Sequence, residues 1–551
     1  MDQYDRRSFI KNNIGNLIAC STIFSGLAGC QSSNNPQPIQ LLCYANANAS
    51  LYPQYSSQEI APYLIEKINH CGLINNEHTL FEKIKYIGKS GGYSELISTI
   101  ARLKNKHIGP TLVIDGGSSW SSGALINSKL QKLLVSLSNS AMTDFMSLGN
   151  ELTLPSHELK NYLELFKGTV VESNVSVTTN PLIIPSKHDF KTLNFMRPYS
   201  IKRFKNISIA FLGLANYKKF QKVNKIRQSP FDITFNKSSI QELIFKLKKE
   251  RLVNYIVVLS QNSYELDVEL LNSVEGIDIL YCCNHSFQDT SSIAIKNSLM
   301  ICSSKNLESV WQIFIPSDTK GPIYAKTIKL LSKEITPDTA SKNFIAKMLP
   351  HTLRTPIGQT DLFLGSSTNQ MNSIDFLISQ SIANYFSVES VVGLSENRSP
   401  SFLPNEKLTL LDISLICASH FGFVSKTIIT GKELTQILMT MVEENQNTNK
   451  SLNFQYYSIK LYGLTVTIHQ DYANRIKALQ IQIEGKNIGL YEKYQIAFWG
   501  VDNSRIFYNN LKIPLYDIVA SQIQNNNINR NLLPALSRQK CNPVTITQTI
   551  I

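Results

Sequence analysis

The sequence predicts an α/β (α+β) chain in which a short export signal precedes two domains. Its 551 residues suggest two to four folding units, at about 150 residues per domain. Short apolar runs alternate with amphipathic segments from residue 39 to residue 333, which is typical of a sheet covered by helices. From residue 356 onward the pattern changes, and apolar helical segments are followed by alternating strands.

The composition excludes several classes of protein. Hydrophobic residues make up 43% and charged residues 17% of the chain, so wholesale disorder and collagen-like or coiled-coil architecture are excluded. The formal net charge is +13. Its basic residues are mostly single lysines and short pairs such as Lys218-Lys219, with no stripe interleaved with aromatic residues. The sequence therefore predicts no nucleic-acid partner.

Residues 1–30 are interpreted as an export and lipoprotein signal. Arg6-Arg7-Ser8-Phe9-Ile10-Lys11 fits a twin-arginine pattern, and the weakly apolar stretch at 14–27 is shorter than the roughly 20 residues of a spanning helix. The sequence Leu27-Ala28-Gly29-Cys30 fits a lipobox, and residues 31–38 are expected to be a flexible tether. We therefore expect a periplasmic protein held on the membrane by a lipid on Cys30. The alternative is ordinary cleavage near the same place, which would leave a soluble protein.

Cysteines outside the signal are expected to be structural. The chain has nine cysteines, of which Cys20 and Cys30 fall in the signal, so seven remain. None of the remaining spacings resembles a zinc motif. We expect most of them to be small buried residues.

The first domain, residues 39–333, is expected to contain a sheet and amphipathic helices. The strand candidates are residues 39–44, 111–115, 207–212, 255–260 and 277–281. One helix is expected from residue 93 to residue 103. A second is expected to begin at a capping box of Ser238 or Ser239 with Gln241 or Glu242, because the apolar residues that follow share one helical face.

The rest of the chain is predicted to form a linker at 334–355, a second domain at 356–536 and a tail at 537–551. Helices are expected at 362–386, 432–442 and 515–524. Strands are expected at 457–469, 478–483 and 494–499. This mixture predicts an α+β unit.

The loops that follow the predicted strands of the first domain carry the candidate site. In open α/β sheets, ligands bind at the carboxyl ends of the strands. Here those loops are rich in amides and hydroxyls and poor in carboxylates and imidazoles. They read Asn46-Ala47-Asn48, Gly116-Gly117-Ser118-Ser119-Trp120, Gly149-Asn150-Glu151, Gln261-Asn262 and Cys283-Asn284-His285-Ser286.

Several short motifs together resemble the 5'-nucleotidase family of metallophosphatases, and within it the SoxB branch of thiosulfohydrolases in bacterial sulfur oxidation. The motifs are Tyr86-Ile87-Gly88-Lys89-Ser90-Gly91-Gly92-Tyr93, Asp115-Gly116-Gly117-Ser118-Ser119-Trp120, the strand that ends in Ser260-Gln261-Asn262, Gly431-Lys432-Glu433-Leu434 and Tyr494-Gln495-Ile496-Ala497. Their order and spacing extend over more than 400 residues. The resemblance implies a four-layer metallophosphatase-like β-sandwich flanked by helices, followed by an α+β domain like the carboxyl-terminal domain of 5'-nucleotidases.

The resemblance also implies a site for two divalent metals, manganese in the SoxB branch, and this sequence departs from that pattern. The family's opening Asp-x-His falls on Asn46 and Asn48, and its bridging aspartate falls on Ser118. A histidine-containing segment falls near Asn150, and the next metal histidine falls on Gln261. The family's Gly-His-x-His places Asn284 and Ser286 at the ligand positions, with His285 between them. Two dications need anionic oxygens and imidazoles, so we expect no metal cofactor.

Three further residues are assigned from the same resemblance. Asp115 and His285 are candidates for a residual site, although Asp115 more often anchors such a glycine loop. If the alignment slips by one residue, His285 is itself a metal ligand. Arg398 resembles an arginine that faces the interdomain cleft, where its guanidinium could hold sulfonate, sulfate or phosphate. It could equally be a surface arginine in a polar loop.

Three functions remain open from the sequence, one of them a surface or envelope lipoprotein with an unrelated partner. The first is a catalytically impaired SoxB-like pseudoenzyme that binds a SoxYZ-like carrier protein or a small anion. The second is an active metal-dependent hydrolase, a thiosulfohydrolase or 5'-nucleotidase, with rearranged ligands. The family favours an enzyme, whereas the site residues favour the first function.

Overall fold

The structure is a computed structural model that describes residues 37–55, 87–120, 128–178, 187–217, 230–284, 292–318, 321–359, 363–365, 373–395, 400–418, 423–449, 458–471, 476–500, 513–525 and 545–548. The contacts within the chain separate residues 1–37 from one compact unit of residues 38–551. Within the described ranges, no helix is both long and apolar enough to cross a bilayer.

Two sheets form the centre of the amino-terminal part of this unit. Its strands are β1 (Ile39–Tyr44), β2 (Gln54–Tyr55), β3 (Lys89–Ser90), β4 (Thr111–Asp115), β5 (Phe145–Met146), β6 (Thr169–Val171), β7 (Val175–Val177), β8 (Met196–Arg197), β9 (Ser200–Arg203), β10 (Ser208–Leu214), β11 (Phe231–Ile233), β12 (Tyr255–Ser263), β13 (Ile279–Asn284), β14 (Ser292–Ile295), β15 (Ser298–Cys302), β16 (Ser309–Ile315) and β17 (Tyr324–Lys329). Its helices are α1 (Tyr93–Lys106), α2 (Ser128–Ser140), α3 (Ser156–Leu165), α4 (Lys187–Leu193), α5 (Lys237–Glu250) and α6 (Tyr264–Ser273).

The parallel strands of each sheet are neighbours of one another. A seven-stranded sheet has the order β17-β16-β1-β4-β5-β6-β8, and a six-stranded sheet has the order β14-β15-β13-β12-β10-β9. Strands β1, β4, β5, β6 and β8 run parallel to one another. Strands β10, β12, β13 and β15 do the same in the second sheet. All carboxyl ends of the parallel strands within a sheet therefore lie along one edge.

Apolar side chains divide this part of the protein into four layers. Between the sheets, Leu41 and Ile114 share a buried cluster with Val257, and the rings of Phe145 and Phe211 stack with centroids 4.3 Å apart. Helices α1, α2 and α3 cover the outer face of the seven-stranded sheet. Helices α5 and α6 cover the outer face of the six-stranded sheet. The predicted helix-flanked sandwich is confirmed.

Two predictions for this part are refined. All five predicted strands are present, although three of them begin or end two or three residues from the expected positions. The predicted capping box at Ser238 or Ser239 is wrong. Helix α5 is capped by Asn236, whose side-chain oxygen accepts hydrogen bonds from the backbone N–H groups of Ser238 and Ser239. Asparagine is among the best N-cap residues, and its position one residue before the helix lets it reach both groups.

Residues 339–548 supply the second group of elements. Its helices are α7 (Thr339–Met348), α8 (His351–Arg354), α9 (Ser373–Phe386), α10 (Leu410–Ala418), α11 (Gly431–Asn449) and α12 (Leu515–Asn525). Its strands are β18 (Pro356–Gln359), β19 (Ser390–Ser395), β20 (Lys407–Thr409), β21 (Phe423–Thr430), β22 (Ser458–Tyr462), β23 (Leu464–Gln470), β24 (Ile476–Ile483), β25 (Lys486–Asn487), β26 (Lys493–Trp499), β27 (Ile513–Pro514) and β28 (Thr545–Gln548). They form a five-stranded sheet, β22-β19-β26-β21-β27, and a four-stranded sheet, β25-β24-β23-β28.

Two element predictions in this region are corrected. The helix expected at 362–386 begins only at Ser373, because Leu364 pairs with Phe402 in an antiparallel bridge. The strand expected at 457–469 is two strands that meet at Gly463, which has φ of 72°. A Cβ at Gly463 would lie 1.8 Å from the carbonyl oxygen of Glu389, so this turn requires glycine.

The regions predicted as linker and tail both contain regular structure. Helix α7 lies within residues 334–355, and its Ile345 is buried in the same cluster as the helices of the amino-terminal sandwich. Strand β28 lies within residues 537–551 and pairs with β23.

A buried ion pair joins Asp375 of α9 to Lys460 of β22 at 2.6 Å, and each side chain is 1% exposed.

Two buried carboxyl groups couple the stability of the sandwich to pH. Asp267 of α6 is fully buried and accepts a hydrogen bond from the hydroxyl of Ser260 at 2.6 Å. Burial raises the pKa of Asp267 to about 8. Glu172 follows β6 and accepts a hydrogen bond from Ser147 at 2.9 Å, and burial raises its pKa to about 8 as well.

We expect the free energy of unfolding to fall as the pH rises from about 4 to about 8. Such groups ionise near pH 4 in an unfolded chain, so between these values the folded protein binds more protons than the unfolded chain. The stabilisation is complete below pH 4 and is lost through about pH 8. Asp267→Asn, which stays neutral, should reduce the loss between pH 5 and pH 8 by about 1–3 kcal/mol. Urea unfolding at pH 5 and at pH 8 measures the free energy of unfolding of the parent and of Asp267→Asn. Glu242→Gln, on the exposed face of α5, is the control. An unchanged pH profile in Asp267→Asn would contradict the assignment.

Candidate functional site

The loops after β1, β4 and β5 meet the carboxyl ends of β12 and β13 at one edge of the sandwich. The prediction that Gln261, Asn262 and Asn284 are loop residues is wrong, since they belong to these two strands. The backbone N–H of Asn46, after β1, donates to the carbonyl oxygen of Gly117 at 2.8 Å. The backbone N–H of Asn48 donates to the carbonyl oxygen of Ser118 at 3.0 Å. A contact between Ser118 and Gln261 joins the two sheets here. The carboxyl ends of both sets of parallel strands therefore lie at the same edge.

Ser118 and Gln261 form the centre of a buried polar cluster. The hydroxyl of Ser118 donates to Oε1 of Gln261 at 3.2 Å and accepts from the backbone N–H of Asn150 at 3.2 Å. Nε2 of Gln261 donates to the carbonyl oxygen of Gly116. Nδ2 of Asn284 donates to the backbone carbonyl of Gln261 at 3.0 Å. Ser118, Gln261 and Asn284 are each 3–4% exposed, so this cluster excludes most solvent.

Asn46 lies on the other side of the same loops. Its Nδ2 donates to the carbonyl oxygen of Cys283 and to the hydroxyl of Ser303, the latter at 3.1 Å. Because a carbonyl can only accept, Asn46 presents its NH₂ group there. Nδ2 of Asn48 donates to the carbonyl oxygen of Asn46 at 3.0 Å. Both amides are thus used as donors to the surrounding protein.

Three of these residues have a backbone conformation that side chains other than glycine seldom adopt. The φ angles are 53° at Asn46, 45° at Asn48 and 58° at Ser118. Asparagine tolerates the left-handed region through its short polar side chain, whereas serine does so less readily. Strained backbone of this kind tends to occur at functional sites. The loops therefore retain the shape of a site although their side chains are neutral.

Two carboxylates hold the loop after β4. Glu151 is fully buried and accepts three backbone N–H groups, from Trp120 at 2.8 Å, Ser118 at 3.1 Å and Gly149 at 2.8 Å. Oδ1 of Asp115 accepts the N–H of Gly117 at 2.9 Å and the hydroxyl of Ser119 at 2.8 Å. Burial raises the pKa of Asp115 to about 7, and nearby Glu151 adds to this rise while the two hydrogen bonds oppose it.

Glu151 is the site residue whose role the sequence did not reveal. The sequence treated Gly149-Asn150-Glu151 as a candidate ligand segment and singled out Asn150. Asn150 contributes its backbone N–H to Ser118, and it begins a 3₁₀ turn, Asn150–Thr153. Glu151 organises the loops around it. The sequence signal for this role is a lone carboxylate beside a glycine, which does not distinguish an anchor from a ligand.

The remaining predicted site residues lie outside the described part of the chain. These residues are His285, Ser286, Arg398 and the lipidation candidate Cys30. Their assignments remain predictions. The five cysteines in the described ranges, Cys43, Cys282, Cys283, Cys302 and Cys417, are buried and free, in accord with structural roles.

The described donor set does not fit a pair of divalent metals. The side chains of Asn46, Ser118 and Gln261 are neutral, and each hydrogen bond above commits them to a protein partner. Both oxygens of Glu151 accept backbone N–H groups. Oδ2 of Asp115 is buried without a hydrogen-bond partner among the described residues, but one carboxylate oxygen cannot balance two dications. Space is also short, since a Cβ at Gly149 would lie 2.0 Å from the hydroxyl oxygen of Ser118. In the described ranges, no group of three or more His, Cys, Asp or Glu side chains could hold a metal ion.

Comparison with solved structures identifies proteins of the same fold. The sulfate thiohydrolase SoxB of Thermus thermophilus superposes with a TM-score of 0.71 at 17% identity, covering 94% of this chain and 98% of that one. A 5'-nucleotidase precursor, also from Thermus thermophilus, gives a TM-score of 0.67 at 14% identity, with coverage of 89% and 96%. A putative 5'-nucleotidase from Staphylococcus aureus gives 0.60 at 13% identity, with coverage of 93% and 99%.

No protein-family model matches the sequence, and no curated protein matches it. At 13–17% identity the structural similarity shows the fold, and the activity has to be argued from the site. The chain thus has the fold of SoxB and the 5'-nucleotidases, in which a helix-flanked metallophosphatase-like sandwich precedes an α+β domain.

Proposed function

We propose that this protein is a catalytically impaired, metal-free SoxB-like protein that binds an anionic group on a carrier protein or a small anion. The proposal places it in a thiosulfate-oxidation context, in the periplasm, on a membrane through a lipid on Cys30. The chemistry it would recognise is a sulfonate or sulfate, such as a cysteine-bound thiosulfonate on a SoxYZ-like arm. These features come from the sequence resemblance, and the site geometry supports the loss of the metals.

The hydrogen bond between Ser118 and Gln261 carries the proposal. By the sequence resemblance, Ser118 replaces the family's bridging aspartate and Gln261 replaces a metal histidine. The hydroxyl of Ser118 donates to Oε1 of Gln261 at 3.2 Å, so the two replacement side chains satisfy each other without a metal. An aspartate there would need cations beside Asp115 and Glu151, because three close carboxylates repel one another in a buried site.

Removing carboxylates also changes what the edge attracts. A cage of carboxylates without metals would repel an anion, whereas neutral amides and hydroxyls bring no negative charge to the edge. Arg398 would add a guanidinium suited to bidentate capture of an oxyanion. Because the amides at this edge donate to protein partners, the anion would be held by Arg398, beside an edge that carries less negative charge than a metal cage.

We expect Ser118→Asp to destabilise the folded protein by about 2–3 kcal/mol relative to Ser118→Asn. Both substitutes tolerate the φ of 58°, so the comparison isolates the added charge beside Asp115 and Glu151. Urea unfolding at pH 8, with and without Mn²⁺, measures the difference. Equal stability of the two variants would contradict the view that neutrality at this position stabilises the metal-free fold.

We expect manganese loading to leave far less than about one ion per chain, against about two in a dimetal site. The measurement is elemental analysis of the exported protein after incubation with Mn²⁺ and desalting. About two ions per chain, lost in His285→Ala, would establish the alternative of an active hydrolase with rearranged ligands. Hydrolysis of a thiosulfonated peptide or a nucleotide by the loaded protein would support the same alternative.

We expect the protein to bind a peptide with a cysteine-bound thiosulfonate more tightly than the same peptide with a free cysteine. Arg398→Ala should weaken binding of the modified peptide at least about ten-fold, since a charge-assisted hydrogen bond contributes about 1.5–3 kcal/mol. Arg102→Ala, on the exposed side of α1, is the matched control. Isothermal titration calorimetry measures the affinity of the parent protein and of both variants for each of the two peptides. Equal affinity for both peptides would refute anion recognition, and equal affinity of both variants would remove Arg398 from the site.

A further inference from the structure

The edge of the sandwich opposite the candidate site is formed by the loops that lead into the parallel strands. We call it the amino-end surface, and it consists of the described residues 104–110, 141–144, 165–168, 194–195, 204–207 and 251–254. They precede β4, β5, β6, β8, β10 and β12, respectively. Because these strands all have their carboxyl ends at the candidate site, the loops before them lie at the opposite edge.

Large apolar side chains protrude singly from five of these six loops. Their exposed fractions are 92% for Ile108, 75% for Leu252, 48% for Leu165, 44% for Met142 and 39% for Phe195. Single exposed apolar residues are normal on a protein surface. Here they recur along one edge of the molecule, which singles out the edge as an interaction surface.

Basic side chains surround these apolar residues. Lys106, Lys167, Lys205 and Arg251 are exposed within or beside the same loops. Two acidic residues at this edge are committed to strand starts, because Asp144 accepts the N–H of Val113 and Asp278 accepts the N–H of Ile256. Glu164, Glu250, Glu275 and Asp318 are exposed acids near these loops. Lys104, Lys202 and Arg203 add to the basic side chains at this edge. The balance on the amino-end surface is therefore positive.

Contacts between loops show that the surface is continuous. Nζ of Lys104 lies 3.8 Å from the sulfur of Met142. Arg203, at the end of β9, donates to the carbonyl oxygen of Arg251 at 3.5 Å. Burial raises the pKa of Asp144, and Lys104 and Lys202 both oppose this rise. Lys104 lies beside the seven-stranded sheet and Lys202 belongs to the six-stranded sheet, so the surface spans both sheets.

The chain also enters the sandwich at this surface. Pro38 directly precedes β1, and a ring nitrogen of His107 lies 2.8 Å from its carbonyl oxygen. The lipidation candidate Cys30 stands eight positions earlier in the sequence. Eight residues span at most about 26–29 Å when extended. A lipid on Cys30 would thus hold the bilayer within reach of the amino-end surface.

We propose that the amino-end surface docks on an anionic phospholipid bilayer. Single exposed apolar side chains that are surrounded by basic residues can insert into the interfacial region of a bilayer. There the apolar side chains are buried and the basic side chains contact lipid phosphates. A protein partner would favour one contiguous apolar centre, whereas these side chains stand on separate loops. Docking in this way turns the candidate site away from the membrane, toward the aqueous phase. The proposal uses none of the residues at the carboxyl ends of the strands. It shares with the proposed function the lipid on Cys30, and it is therefore tested on the unlipidated chain.

Vesicle co-sedimentation tests the proposal with the unlipidated chain from residue 31 to residue 551, which includes the whole compact unit of residues 38–551. The probes are phosphatidylcholine vesicles with and without about 30% phosphatidylglycerol. We expect binding to the anionic vesicles that weakens between about 0.05 and 0.5 M salt. Ile108→Ser with Leu252→Ser, and separately Lys106→Glu with Arg251→Glu, should each lower the partition coefficient at least about ten-fold.

Matched control variants lie in the carboxyl-terminal part of the chain. Leu490→Ser with Tyr491→Ser removes apolar side chains that are 55% and 85% exposed, and Lys486→Glu with Lys493→Glu reverses two exposed charges. These variants should bind like the parent, and thermal unfolding should show all variants folded. Absence of binding to anionic vesicles, or an equal loss in the controls, would overturn the proposal. Self-association abolished by the Ile108 and Leu252 changes, without vesicle binding, would make this surface an interface between copies of the chain.

Discussion

The candidate site depends on the three backbone hydrogen bonds that Glu151 accepts. They tie the loop after β4 to the loop after β5, and so fix the position of Ser118 against Gln261 from the opposite sheet. A carboxylate that accepts several backbone N–H groups is a strong, rigid anchor. In a buried place it can carry a charge only because those donors surround it. The site is therefore organised by a buried carboxyl group whose two oxygens both face backbone N–H groups.

The backbone at this edge has the conformation expected of a ligand site, whereas the side chains bond to the protein itself. The left-handed φ values at Asn46, Asn48 and Ser118 cost free energy that local contacts must offset. Such geometry is expected where side chains must converge on a ligand. Yet the side chains that converge donate to one another and to the backbone, as Asn284 does to Gln261. Buried polar groups remain stable only when they are hydrogen-bonded, and this cluster satisfies that requirement within the protein.

The sequence predicted the strands well because buried parallel strands are short apolar runs with little ambiguity. It did less well where a single contact decides the local structure. Leu364 joins a bridge to Phe402 instead of a helix, and Gly463 splits a strand because a carbonyl lies against it. The cap at Asn236 was missed because serines nearby satisfy the same rule. In the site, loop composition predicted the amides that meet, but not that Glu151 holds them, since an anchor and a ligand share one residue type.

The parallel strands give the sandwich two ends with opposite chemistry. At the carboxyl ends, buried amides such as Gln261 face one another and exclude solvent. At the amino ends, Ile108 and Leu252 protrude among lysines. The loop after each strand and the loop before it are separated by the full strand, so substitutions at one edge leave the other intact. A fold of this kind can lose the chemistry of one edge and keep a binding role, because the sheets that position both edges are held by apolar packing and not by the site.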